Sequence, residues 1–247
     1  MGTNITFLSG LPRTGSTLLV SILSQNPQIH TEGTSALCQL MWDMQVSCWN
    51  TEAIPNKPEV EKKLLSSIPK VFYEGVQKDI IIDKCRTWPL PANLELINKY
   101  ITKTPKIIIT VRPIVEVLKS FVYIRSLNNH PNPEAGLLDD RSTIMRSLEG
   151  INYAKANNSG QFLFVSYNDL VDNTEQVIKN IYNFYNWDTF EHKFTGIINP
   201  NLERDDLLGA IGLHDIRPEI KRRKIKVKLS DELYEKAIQL DKEMGTL

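Results

Sequence analysis

Ser9-Gly10-Leu11-Pro12-Arg13-Thr14-Gly15-Ser16-Thr17-Leu18-Leu19 follows the short apolar run Ile5-Thr6-Phe7-Leu8 and leads into a helix-patterned segment, Leu18 to Gln25. A buried strand, a glycine turn, hydroxyl residues and a helix start together make a phosphate site. The turn's N–H groups converge, and the free N–H groups of the helix start add partial positive charge. The interval from Gly10 to Gly15 fits the phosphate-loop pattern G-x-x-x-x-G-K-S/T at every place but one. Ser16 stands where that pattern has lysine, and a cation, Arg13, sits inside the turn instead.

Three further apolar runs, Ile80–Ile82, Lys106–Val111 and Phe162–Val165, have the composition of strands buried on both faces. Helical spacing fills the intervals: Ser35–Val46, Glu59–Glu74, Ala92–Lys103, a helix carrying Val115, Leu118 and Val122 with Pro113 in its first turn, and a polar helix ending near Ala156. Thr174–Tyr185 follows the cap-like Asp172-Asn173, and Ser230 caps a last helix. Ile54–Pro58 reads as a loop, and Trp42 and Trp49 as core or a pocket wall. Strands alternating with helices predict one α/β domain over residues 1–247, a central parallel sheet flanked by helices, of the phosphate-loop nucleotide-hydrolase type.

Composition excludes several classes. Lys+Arg and Asp+Glu both number 29, so the whole chain offers no charge for nucleic acid or an acidic membrane, and any anion site is local. The three cysteines, Cys38, Cys48 and Cys85, form neither a fully paired set nor a zinc pattern. No apolar run approaches the roughly 20 residues of a membrane span. The strand-like start is too short for a signal peptide, so the expectation is a cytoplasmic protein.

A second constellation is Ile107-Ile108-Ile109-Thr110-Val111-Arg112-Pro113, with Ser120 eight residues beyond Arg112. Arg112 falls at the carboxyl end of a parallel strand, the ligand edge of an open α/β sheet. A guanidinium fork and a hydroxyl so placed can share one phosphate. At the first loop, the missing lysine argues against ATP, whose β- and γ-phosphates that lysine neutralises. A terminal sulfuryl group carries a single negative charge where a terminal phosphoryl carries up to about two.

Pro12-Arg13-Thr14-Gly15-Ser16-Thr17 resembles the phosphosulfate-binding loop of sulfotransferases, and Arg112-Pro113 with Ser120 resembles their 3′-phosphate element. Ile82-Asp83-Lys84 with Trp88-Pro89, and Val165-Ser166-Tyr167-Asn168-Asp169-Leu170, resemble two further segments of the family, the first closer to its bacterial and tyrosylprotein-like branch. The resemblance implies 3′-phosphoadenosine 5′-phosphosulfate as donor and no metal. It implies Arg13, Thr14, Gly15, Ser16 and Thr17 on the phosphosulfate, Arg112 and Ser120 on the 3′-phosphate, Lys84 on the transferring group and Tyr167 near the adenine or a phosphate. Where the cytosolic branch has its histidine base, this chain has Arg86, which accepts no proton. The tyrosylprotein-like branch uses a glutamate after the first helix, which makes Glu32 the first candidate base and His30 the second. A basic stretch late in the chain, Gly212-Leu213-His214-Asp215-Ile216-Arg217 ahead of Lys221-Arg222-Arg223-Lys224, Lys226 and Lys228, is the candidate lid, with one of Arg222, Arg223 and Lys224 as its contact to the 3′-phosphate.

The implied reaction is in-line sulfuryl transfer to a hydroxyl or amine of an acceptor that the sequence does not identify, nor does it give an oligomeric state. Two rivals stand beside it. One is an ATP- and magnesium-dependent phosphotransferase with Asp83 as a metal ligand. The other is a non-catalytic module that binds adenosine 3′,5′-bisphosphate.

Overall fold

The strand ahead of the glycine loop, β1 (Asn4–Gly10), lies at the centre of the sheet. The structure is a computed structural model and describes residues 4–52, 57–201, 203–222 and 224–245. After β1 come α1 (Ser16–Leu23), β2 (Ile29–Thr31), α2 (Leu37–Asn50), α3 (Pro58–Phe72), β3 (Ile80–Lys84) and α4 (Pro91–Tyr100). Then follow β4 (Ile107–Val111), α5 (Ile114–Leu127), α6 (Thr143–Ala156), β5 (Phe162–Ser166), α7 (Tyr167–Asp172), α8 (Thr174–Tyr185) and α9 (Asp231–Met244). All neighbouring strands pair in parallel, in the order β2-β3-β1-β4-β5. The expected single α/β domain with helices on both faces of a parallel sheet is what forms.

Alternation along each strand sends successive side chains to opposite faces. Phe7, Ile81, Ile107 and Ile109 pack on one side with Leu37 and Met41 of α2, Ile97 of α4, Val117 and Leu118 of α5 and Ala237 of α9. Leu8, Ile82, Ile108 and Val165 pack on the other with Leu19, Val20 and Ile22 of α1 and Val177, Ile178 and Ile181 of α8. After β1 the chain crosses to one side of the sheet, and β4 and β5 lie on the other. The carboxyl end of β1 is therefore the switch point at which open α/β sheets take ligands.

Several local readings change. β2 was not expected, because Ile29-His30-Thr31 carries one apolar residue in three. Also unexpected was α7, capped by Ser166 Oγ, which accepts from the Asp169 N–H at 3.0 Å. α2 continues past Val46 to Asn50, leaving Trp49 55% exposed with its ring edge on half-buried Trp42, and so outside the core. Pro113 is the N-cap of α5 rather than a first-turn residue. Most of the expected Ile54–Pro58 loop lies outside the described residues, and Pro58 opens α3.

The first N–H groups of α5 are taken by Asp241 of α9: its carboxylate accepts from Ile114 at 2.6 Å and Val115 at 3.3 Å, fully buried. A carboxylate at a helix start satisfies orphan donors and meets the positive end of the helix dipole. That bond fixes the strand edge carrying Arg112.

Gly10 has φ +127, and a Cβ there would lie 2.1 Å from the Thr110 carbonyl oxygen on β4. Backbone cannot yield as a side-chain tip does. We expect Gly10→Ala to cost about 4 kcal/mol or more, in the range reserved for strain and overpacking. Chemical denaturation reads this out, and a variant unfolding at the parent's midpoint would contradict the packing.

Candidate functional site

Past Gly10 the loop is fastened to β4. Leu11 N–H donates to Thr110 O at 3.1 Å, and Thr14 Oγ1 donates to Leu11 O at 2.7 Å while lying 2.6 Å from Thr110 Oγ1. Thr14 is completely buried, so its hydroxyl shapes the loop from behind rather than facing the cleft. Arg13 (φ 62) and Gly15 (φ 79) take left-handed conformations, which bend a turn into the concavity that accepts anions. α1 starts directly after Gly15 with no acidic residue in its first turn, so no carboxylate competes for its free N–H groups.

A cleft opens over this turn. Arg13, Gly15, Ser16, Thr17, Arg112, Ser120 and Tyr167, all expected from the sequence, line it together. Arg13 Nε donates to Ser120 Oγ at 2.9 Å, joining the loop to α5. Arg112 is 6% exposed; its Nη1 donates to Arg13 O at 3.0 Å and its Nε to Glu116 Oε2 at 2.8 Å. The Arg112 guanidinium lies 4.0 Å over the Tyr167 ring, a stacking that holds the cation flat against the cleft wall. Arg86 also lines the cleft, as do Arg217 and Lys221 from the C-terminal third. A chain of zero net charge thus gathers its cations where two anionic groups of a donor can be met, and the residues present fit such a molecule.

Lys84 ends β3, buried, with Nζ 3.8 Å from Glu203 Oε1. Burial pulls its pKa down to about 8, Glu203 opposes that shift, and the neighbouring Arg86 adds to it. Asp83, next in the strand, points to the opposite face. Its oxygens accept from Ser35 Oγ at 2.5 Å, Tyr73 Oη at 2.6 Å and Trp88 Nε1 at 2.6 Å. Burial pushes its carboxyl up from the ordinary range while these three donors pull it back. So occupied, Asp83 serves the core and is unsuited to the magnesium ligation of the ATP reading.

Other expected residues fall elsewhere. His30 Nε2 and Glu32 Oε1 lie 2.9 Å apart, each 31% exposed, and neither lines the cleft. His30 pairs in register with Ile81, and Glu32, two residues on, shares that face with Asp83 and Tyr73, whereas Lys84 points to the other. Arg222 is exposed and forks onto Asp172 with Nε 2.8 Å from Oδ1. Exposed Lys224 lies beside Tyr123, Lys226 and the cleft-lining Arg217 without lining the cleft itself, and Arg223 is outside the described residues. The cover comes from slightly earlier in the chain: Leu213 O accepts from Arg13 Nη1, and His214 lines the cleft. Glu203 and Asp205, which meet His214 of the expected lid stretch near Lys84, had no motif to announce them.

The sulfotransferase family model matches residues 6–191. No curated protein sequence matches the chain. Among solved structures, the sulfotransferase domain of the Synechococcus PCC 7002 olefin synthase superposes with TM-score 0.62 at 20% identity, over 99% of this chain and 95% of that one. The sulfotransferase domain of the curacin biosynthetic pathway gives TM-score 0.62 at 19% identity, over 99% and 98%. A mouse sulfotransferase complexed with PAP gives 0.54 at 16%, over 99% and 85%. At these identities the likeness speaks for the fold, and the family follows from the model match. The chain belongs to the sulfotransferase family, enzymes that move a sulfuryl group from 3′-phosphoadenosine 5′-phosphosulfate to an acceptor.

Proposed function

We propose that the cleft binds the donor across two anion subsites. The backbone of Arg13 to Thr17, with the Ser16 and Thr17 hydroxyls and the Arg13 guanidinium, holds the 5′-phosphosulfate; Arg112 and Ser120 hold the 3′-phosphate. Tyr167, stacked under Arg112, fixes the second subsite. The observation that carries this reading is the 2.9 Å bond from Arg13 to Ser120, which puts the two subsites within one side chain's reach. Arg217 and Lys221 replace Arg222 and Lys224 as the candidate covering cations, because they line the cleft.

When bound, the donor supplies an activated sulfuryl group on a phosphate leaving group. Lys84, Arg13 and the loop's N–H groups stabilise charge that develops on the transferred group and the bridging oxygen, without reorganising as they do so. A cavity lined by Lys84, Ser16, Thr34 and Arg86 adjoins the donor cleft at Ser16 and Arg86, and this junction is the entry for an acceptor hydroxyl or amine. Glu32 and His30 are left out as base in this reading, since they bond each other on the face turned from Lys84. We propose too that residues 1–247 act as one domain in the cytoplasm. The bond of Asp241 to the α5 start supports the first statement, and three free cysteines support the second. No helix among the described residues is long and apolar enough to cross a membrane.

Calorimetry with adenosine 3′,5′-bisphosphate against ATP tests the donor site; we expect the bisphosphate to bind more tightly, and the reverse order would return the ATP reading. Arg112→Ala should weaken bisphosphate binding by about 2 kcal/mol, the scale of a charged hydrogen bond. Arg13→Ala and Lys84→Ala should each lower kcat by about 10²–10³-fold, as loss of one preorganised donor does. Full activity in Arg13→Ala would remove the mechanism.

Lys84 acts as an ammonium, so kcat/KM should fall as pH rises through about 8, where the buried amine loses its proton. Lys84→Arg, charged throughout, should lack that limb. The stability effect has the opposite sense. The unfolded lysine keeps its proton to higher pH than the folded one, so this residue's penalty on folding is present below about 8 and fades between there and its ordinary value of 10.5.

A further inference from the structure

Beyond the residues matched by the family model, Asp205, His214 and Glu203 form a chain of contacts that ends on Lys84. His214 Nδ1 is 2.5 Å from Asp205 Oδ1, and the His214 backbone N–H donates to Asp205 Oδ2 at 2.9 Å. On the other side of the ring, His214 Nε2 lies 3.6 Å from Glu203 Oε1, the same oxygen that is 3.8 Å from Lys84 Nζ. That oxygen is buried and accepts no hydrogen bond from any described residue. None of the four side chains is more than 14% exposed, yet His214 lines the cleft beside Arg13.

Asp205, an acceptor, assigns the imidazole proton to Nδ1 and leaves the Nε2 lone pair on the side of Glu203, the residue that reaches Lys84. Nε2 and a carboxylate oxygen facing each other are two acceptors with no proton between them, and a proton delivered to Nε2 would satisfy both. Gly33 makes the arrangement possible: a Cβ there would stand 2.6 Å from Glu203 Oε1.

We propose that His214 is the catalytic base of sulfuryl transfer, with Asp205 fixing its tautomer and Glu203 positioning it against Lys84. This rests on the donor assignment above. As the acceptor oxygen forms its bond to sulfur, the bond from sulfur to the bridging phosphate oxygen breaks. The electron pair of that bond stays on the departing adenosine 3′,5′-bisphosphate. The acceptor's proton passes to Nε2, and the imidazolium rests between two carboxylates while Lys84 keeps its charge.

The test uses the full chain and ³⁵S-labelled donor, with a phenol, a primary alcohol and a sugar as acceptors and water as the slow one. His214→Ala should lose about 10²-fold or more in turnover, a larger loss than Glu32→Gln, with bisphosphate affinity held within about threefold. Added imidazole should restore part of the His214→Ala rate in proportion to its free base. Asp205→Asn and Glu203→Gln should lower kcat with little change in donor KM, and imidazole should not rescue them. Wild-type turnover in His214→Ala, a larger loss in Glu32→Gln, or loss of bisphosphate affinity without imidazole rescue would each overturn the assignment. A parent chain that binds bisphosphate but turns over with no acceptor overturns it too. A parent chain that fails to bind bisphosphate would instead remove the donor reading.

Discussion

Gly10 passes the backbone of β4 at a distance that leaves no room for a methyl group, and the site is assembled from that approach. Thr110, the residue it passes, takes the Leu11 N–H on its carbonyl and meets the Thr14 hydroxyl with its own. Two positions later Arg112 leaves the same strand and donates back to the Arg13 carbonyl. Loop and strand-edge arginine are therefore one mechanical piece. Its far end is pinned by a carboxylate from the last helix, which ties the cleft wall to that helix.

The sheet sorts charge by face. Asp83 and Lys84 are consecutive, so the pleat sends the carboxylate into a polar cluster inside one core layer and the amine toward the cleft. Separation by a strand's thickness keeps the acid from neutralising the base it would otherwise pair with. The counter-charge Lys84 does receive, Glu203, arrives from a distant segment and sits between lysine and histidine. A neutral chain can thus carry a cleft in which Arg13, Arg86, Arg112, Arg217 and Lys221 outnumber Asp215 and Glu219.

Much of this was legible in the sequence, for reasons that also mark the limit. The runs Ile80–Ile82 and Phe162–Val165 are apolar because both faces of a parallel strand are buried, and the glycine turn is recognisable because its geometry admits few residues. β2 escaped notice because an edge strand of three residues needs no apolar pattern. Glu32 matched an expected interval from Arg13, but interval does not report face, and one residue along a strand reverses it. Within the basic stretch the expected contacts are Arg222 and Lys224, yet the cations that line the cleft are its Arg217 and Lys221, since a loop's path over a surface leaves no periodic trace. Glu203, Asp205 and His214 converge through tertiary contact alone, which spacing cannot show.

The covering segment touches Arg13 through the carbonyl of Leu213, a group that every amino acid carries. Substitution at position 213 alters a side chain that lines the cleft while leaving the atom that meets the guanidinium in place. Descendants of this chain can therefore vary that stretch of the cleft wall without first surrendering the grip on the loop, so that what the wall presents and what holds Arg13 change on separate atoms of one residue.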